Sequence, residues 1–290
     1  MNENLENLAI KAKQGDKHAL ESIVRAIQHR IFGLALKMLY HPQDAEDAVQ
    51  EILIRIITNL GSFAHKSSLD TWALKVASNH LMGVRKKRAA YWFTFERCHA
   101  AIVQDPPDAP SLDYDEAEQE LIVKEMRLAC MQGLLQCLDW EHRIVYILGE
   151  TMDIPGPEGA AILDIKPAAF RKRLSRAREK IREFLSVNCD LYEEGNPCDC
   201  LTQGTLAMQN GLMDLKALSF AGQGPGRAGQ VSLEDSLKAL EHLTREAAIM
   251  RCQADYQAPR DFVQAIRRML DSEKFQELKT LNQEDTPWKK

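Results

Sequence analysis

Nowhere in this chain of 290 residues do eighteen apolar residues run together, so no segment reads as a membrane-spanning helix. The N-terminus, MNENLENLAIKAKQGD, lacks the pattern of a secretory signal. The two absences predict a cytoplasmic protein with no membrane partner. Cysteine is too sparse and too scattered for a disulfide scaffold: there are seven, an odd number, and five lie far apart. Reduced thiols are expected, some of them candidate metal ligands. Cations are fewer than acids, which leaves a net charge of −5. That balance excludes a chain coated in positive charge along its length. The size predicts two or three domains.

The missing positive charge is a matter of distribution. Residues 1–100 carry a net +4, residues 101–124 a net −6 and residues 125–165 a net −5. Residues 166–185 carry +6 within twenty positions, and the remainder returns to −4. A local excess of this kind is the electrostatic footprint of an anionic partner.

That excess lies within EGAAILDIKPAAFRKRLSRAREKIREFL, Glu158 to Leu185. The stretch reads as two short helices and a tight turn. Pro157 opens the first, Ala160, Ala161 and Leu163 form its inner face, and Asp164 stands where a glycine often makes the turn. Pro167 suits the first turn of the second helix. Phe170, Leu174, Ala177 and Ile181 then recur on a 3.6-residue period as one apolar stripe. Seven cations and one acid fill the positions between Arg171 and Arg182. Solvated helix faces mix signs, so contact with DNA is favoured over a merely solvated face. Ala168, Arg171, Lys172, Arg173, Ser175 and Arg176 are the candidate duplex contacts, the small residues allowing close approach and the cations reaching phosphate or guanine.

A second module precedes it. Residues 5–39 look helical, and after a turn at His41-Pro42 comes DAEDAVQEILIRIITNL, where Ala48, Val49, Ile52, Leu53, Ile56, Ile57 and Leu60 form a wide apolar stripe. Acids at its start suit a helix N-terminus, whatever else they do. The polar loop Gly61–Ser68 leads to SLDTWALKVASNHLMGVRKKR, opened by a box-like pair, Ser67 and Asp70. Leu69, Trp72, Ala73, Val76, Ala77 and Leu81 form its buried face, and Arg85 to Arg88 end it as a phosphate-binding patch or as cations favoured at a helix C-terminus.

DAEDAVQE, Arg55, the loop, SSLDTWALKVASN and the basic end, followed by RLSRAREKIREFL, resemble in order and separation the two conserved domains of extracytoplasmic-function sigma factors. The resemblance covers about residues 5–88 and 125–186. It implies an all-α fold: a sigma region 2 domain over 1–100, an acidic linker over 101–124, a region 4 helix-turn-helix domain over 125–186, and a further segment over 187–290. It implies an alternative sigma factor that binds core RNA polymerase through the β′ clamp and the β flap, recognises and melts promoters, and starts transcription without catalysis of its own. It places Asp44, Asp47, Gln50 and Glu51 at the polymerase face, three of them at i, i+3 and i+7 on one side of a helix. Phe63, His65, Lys66, Ser67, Trp72, Asn79, Arg85 and Lys86 would meet the melted −10 strand, with Phe63 and His65 as stacking surfaces. Trp72 fits the apolar stripe equally well. The basic helix would read the −35 duplex, and an anti-sigma factor is a further partner the family implies. The chain departs from the family in its loop, SFAHKSS, and in Lys166, which cannot cap the following helix.

The linker, VQDPPDAPSLDYDEAEQE, is rich in proline and acid and is expected to be extended. Beyond the helix-turn-helix, VNCDLYEEGNPCDCLTQG groups Cys189, Cys198 and Cys200 and resembles an NPC-x-C extension found in a subset of the family. A structural zinc is one reading, with Cys252 or His242 as fourth ligand. A thiol sensor is another, and plain reduced cysteine a third. Cys130 and Cys137 read as core. Otherwise no cofactor is expected. Helices are expected from about Ser232 and from about Pro259, the latter with Phe262, Ile266, Met269 and Leu270 on its apolar side. The extension is expected to pack on the second domain and regulate it. Two other classes fit less of the chain. A free-standing regulator would leave the N-terminal module unexplained, and an enzyme built on the thiols would lack a base or a cleft.

Overall fold

The computed structural model describes residues 4–84, 93–103, 114–221, 249–250, 256–259 and 261–270. Arg85 to Arg88, most of the linker, Cys252, His242 and the helix expected from Ser232 lie outside the described residues. The described residues form helices and connecting turns with no strand, as the all-α reading requires. The backbones at Cys189 and Cys198 form one isolated β-bridge, and both thiols are free.

The first domain comprises α1 (Leu5–Lys13), α2 (Lys17–Leu39), α3 (Pro42–Asn59) and α4 (Leu69–Val84). The stretch read as one helical region over 5–39 is broken where Gly15 adopts φ +97° and Asp16 caps α2, accepting from the amides of His18 and Ala19. Pro42 occupies the first turn of α3, and the expected stripe from Ala48 to Leu60 is buried throughout. Ser68, not Ser67, caps α4: its Oγ accepts from the Thr71 amide at 3.1 Å. Asp70 instead pairs with Arg30 of α2, so the expected box does not form.

The second domain contains α5 (Phe95–Val103), α6 (Glu116–Cys137), α7 (Trp140–Tyr146), a π turn at Ile147–Thr151, α8 (Gly156–Leu163) and α9 (Pro167–Asn188). The acidic linker is shorter than its composition suggests. α5 runs to Val103, and α6 begins at Glu116, fixed by a capping box between Asp115 and Glu118. Acid-rich residues expected to be extended are thus held as the first turn of α6, where acids suit the positive end of the helix.

The extension contributes α10 (Cys200–Gln209), packed on α6, and α11 (Phe262–Leu270). Phe262, Val263, Ile266 and Leu270 of α11 are buried, against α2 and α3 of the first domain. The extension is expected to pack on the second domain; α10 does, and α11 packs on the first. Four large apolar side chains need an apolar face, and the N-terminal half of α2 offers one. One apolar core connects both domains and the extension.

Candidate nucleic-acid interface

α8 and α9 form the expected helix-turn-helix. Asp164 takes the left-handed conformation, φ 55° and ψ 42°, and caps α8. Pro167 opens α9, and Lys166 before it makes no side-chain cap. Gly159 allows the close crossing: a Cβ there would lie 2.5 Å from the Phe170 ring. The inner face of α8 is Gly159, Ala160 and Ile162, while Ala161 is exposed and Leu163 half-buried. The turn rotates α8 by about one position from the expected register. Phe170, Ala177 and Ile181 of α9 are buried and Leu174 is half-buried.

On the opposite side of α9, Ala168, Arg171, Lys172, Ser175 and Arg176 are all exposed, as the periodicity requires. Arg173 is drawn aside, pairing with Glu141 of α7 at 2.9 Å. Arg178 pairs at 2.5 Å with Glu150, which is 2% exposed. This second pair fastens the basic helix to the π turn, and nothing in the sequence singles it out. A carboxylate this deep is retained only with a hydrogen-bonded cation beside it.

In the first domain, Asp44, Asp47 and Glu51 of α3 line a cleft of about 430 Å³ together with Arg55, His80 and Asn79. His80 Nε2 lies 3.8 Å from the Glu51 carboxylate. Gln50, the fourth expected docking residue, is half-buried and does not line this cleft.

The Gly61–Ser68 loop differs from expectation in one respect that matters. Phe63 is 2% exposed and packs 5.5 Å from the half-buried Trp72, so its ring cannot stack on a base. An apolar ring between two helices closes the gap between them more favourably than it meets water. His65 remains exposed over it, ring centroids 4.4 Å apart, with φ 54°. Lys13 of α1 holds the loop, donating to the Phe63 carbonyl and lying 3.4 Å from His65 Nε2. Lys66, Ser67 and Asn79 are exposed. Arg85 and Lys86 lie outside the described residues.

The sequence does not show that these two surfaces adjoin. α8 packs on α4: Thr71 Oγ1 donates to Glu158 at 2.6 Å, and Lys75 lies 4.0 Å from Asp164. Arg143 of α7, 2% exposed, donates to the carbonyls of Met38, Gln136 and Leu138 and to the Gln136 side chain. Burial pulls its pKa down to about 10, which still leaves it charged. The extension clasps both domains. Its Tyr256 hydroxyl accepts from Gln132 of α6 at 2.8 Å, and the amides of Ala258 and Phe262 donate to His29 and Gln28 of α2. Arg267 grips Glu21 of α2 with two hydrogen bonds. The buried Glu125 of α6 accepts from three successive amides, Ser219 to Ala221.

The described thiols are free, as plain reduced cysteine would be. Cys189, Cys198 and Cys200 share an apolar cavity of about 20 Å³ with Cys130 of α6, which reads as core in the sequence. Among the described residues no group of three or more Cys, His, Asp or Glu is arranged to hold a metal ion.

The model of sigma-70 region 2 matches residues 23–90, which takes in α3, the loop and α4. The ECF RNA polymerase sigma factor SigW of Bacillus subtilis is 29% identical over 186 residues, 60% of this chain and 93% of SigW. The RNA polymerase sigma-H factor of Pseudomonas aeruginosa is 27% identical over 62% of this chain and 93% of its own length. This chain is an alternative sigma factor, similar to the extracytoplasmic-function branch of the sigma-70 family. Among solved structures, CnrH in complex with the cytosolic domain of CnrY is similar over 62% of this sigma factor and 95% of that chain, at 22% identity and a TM-score of 0.43. The share of the sigma factor matched by these relatives leaves more than a third of it outside the likeness. No helix among the described residues is long and apolar enough to cross a membrane.

Proposed function

We propose that this sigma factor docks on core RNA polymerase, at the β′ clamp and β flap, and holds a promoter at two places. The acidic side of α3, with Asp44, Asp47 and Glu51, meets the polymerase. The loop around His65, Lys66 and Ser67, with Asn79 and the edge of Trp72, receives the melted −10 strand. Exposed Ala168, Arg171, Lys172, Ser175 and Arg176 on α9 read the −35 duplex, while Arg173 supports α7. The observation that supports this reading is the presence in one chain of an acidic helix face, an exposed polar loop and a basic helix presented outward by a turn. The chain performs no catalysis and works in the cytoplasm.

The extension, of NPC-x-C type, regulates by holding the two domains against each other. Its support is the set of bonds from Tyr256, Ala258, Phe262 and Arg267 to α6 and α2. An anti-sigma factor would compete for the same joint between α4 and α8.

Co-purification with core polymerase, followed by mapping of transcript starts, tests the reading. Retention by core and new start sites sharing two upstream elements are expected. Failure of the chain to bind core, or binding with Asp47→Lys and Glu51→Lys at wild-type strength, would overturn the docking assignment.

A further inference from the structure

Cys98 and Cys137 meet across two helices whose contact has no place in the function above. The Sγ atoms lie 3.8 Å apart, Cys98 on α5 and Cys137 at the end of α6. Both residues are half-buried, so solvent reaches them. We propose that this pair is an oxidation site, and that its disulfide staples α5, the outermost helix of the second domain, to α6 and thereby limits how far the two promoter-binding domains can separate. The proposal rests on the two-site reading of the promoter.

The chemistry selects this pair from the six described thiols. The hydrogen bond from Cys137 lowers the Cys98 pKa, and the same bond raises that of Cys137. Burial raises Cys130 and Cys189, and pushes Cys198 up to about 12 and Cys200 up to about 11. Cys98 is therefore the thiol most readily ionised, and thiolates are what peroxides attack. The Cys98 thiolate takes one oxygen from hydrogen peroxide; with one proton the products are Cys98 sulfenic acid and water. The Cys137 sulfur then attacks the Cys98 sulfur. The S–O bond breaks, and hydroxide leaves with the Cys137 proton as a second water. Two thiols and one peroxide give one disulfide and two waters. The sulfurs must close from 3.8 Å to about 2 Å.

The mechanical effect follows from contour length. Between Val84 at the end of α4 and Glu116 at the start of α6, the chain can reach at most roughly 110 Å. α5 buries none of its residues fully; Phe95, Cys98 and Ile102 rest half-buried against the core. Its ties to α9 are the Phe95–Phe184 ring contact and the hydrogen bond between His99 and Asn188. Such a helix can peel away and release the full length. A disulfide at Cys98 replaces that weak attachment with a covalent one and shortens the tether to roughly 50 Å. Elements centred near −10 and −35 lie about 25 base pairs apart, roughly 85 Å of duplex. A folded domain adds about 30 Å of its own width. The reduced chain spans the elements with slack. The oxidised chain, about 50 Å of tether plus about 30 Å of domain, falls short of the elements even when pulled straight.

The full-length protein is treated with hydrogen peroxide, alkylated, and its peptides mapped without reduction. A Cys98–Cys137 cross-link reversed by dithiothreitol is expected, and it should vanish in Cys98→Ser and in Cys137→Ser. Both thiols still alkylating after treatment, or Cys98 joined to another cysteine, would overturn the site. Initiation by core polymerase is then measured on a promoter bearing both elements. Oxidised wild type should fall at least tenfold below reduced wild type, while peroxide-treated Cys98→Ser keeps its activity. Equal activity of the oxidised and reduced wild type would overturn the tether argument. A reduced chain that initiates nowhere would instead count against the two-site reading, and the cross-link result would stand apart from it.

Discussion

Arg143 of α7 donates a 2.8 Å hydrogen bond to the carbonyl of Met38, near the end of α2 in the other domain. The carbonyls at a helix C-terminus have no partner within the helix and carry its negative end, so a buried guanidinium placed there both satisfies and neutralises them. Arg143→Ala removes it and leaves the Met38, Gln136 and Leu138 carbonyls without that donor. A loss of about 2–3 kcal/mol is expected, measured by urea unfolding. Arg143→Lys, which lacks the planar fork, should recover only part of it.

The exposed cations of α9 should act through phosphate as well as base. Lys172→Ala or Arg176→Ala is expected to weaken binding to a promoter duplex. Each should also reduce the slope of log affinity against log salt by about one for every phosphate left without its cation. Arg173→Ala should leave that slope unchanged, because Arg173 is held by Glu141. Fluorescence anisotropy across a salt series decides between the two.

Gly159→Ala places a methyl group 2.5 Å from the Phe170 ring, at the crossing of α8 and α9. Overpacking there is expected to cost about 1–3 kcal/mol. DNA affinity should fall with it, since the turn aims the basic helix. A variant as stable as wild type would mean that the ring moves aside freely.

The extension should loosen in acid. Burial lowers the pKa of His29, with Asp261 opposing the shift, so the folded state prefers the neutral ring that accepts from Ala258. A group depressed on folding contributes stability above its unfolded pKa and loses it as the pH falls through the folded one. The Ala258 and Phe262 amides are therefore expected to lose hydrogen-exchange protection as the pH drops below 6.5. Hydrogen bonding from Arg267 lowers Glu21 below the usual glutamate range, so that grip should fail later in the descent. His29→Gln should flatten the first step and leave the second.

Much of this architecture is legible in the sequence because it rests on local rules. The α3 stripe, the left-handed Asp164 and the exposed row from Ala168 to Arg176 follow from periodicity and turn chemistry, which a sequence displays directly. Phe63 misleads because a polar loop hides how much apolar space its flanking helices leave between them. The acidic start of α6 misleads because proline nearby makes a composition look extended, although Asp115 and Glu118 stand at capping-box spacing. Arg143, Glu125 and the Cys98–Cys137 contact cannot be found in advance. Each joins residues distant in sequence, and no periodicity marks a pairing that only the packed domains create.

The grip of Glu125 on residues 219–221 and the docking of α11 on α2 also have an order in time. α11 lies beyond everything it holds, so it leaves the ribosome after all of it. After α9 has emerged, synthesis through Leu270 takes roughly 4–16 s at 5–20 residues per second. During that interval a newborn molecule carries both promoter-binding domains with no clasp across them. A polymerase present in that interval meets the α2 face before α11 covers it.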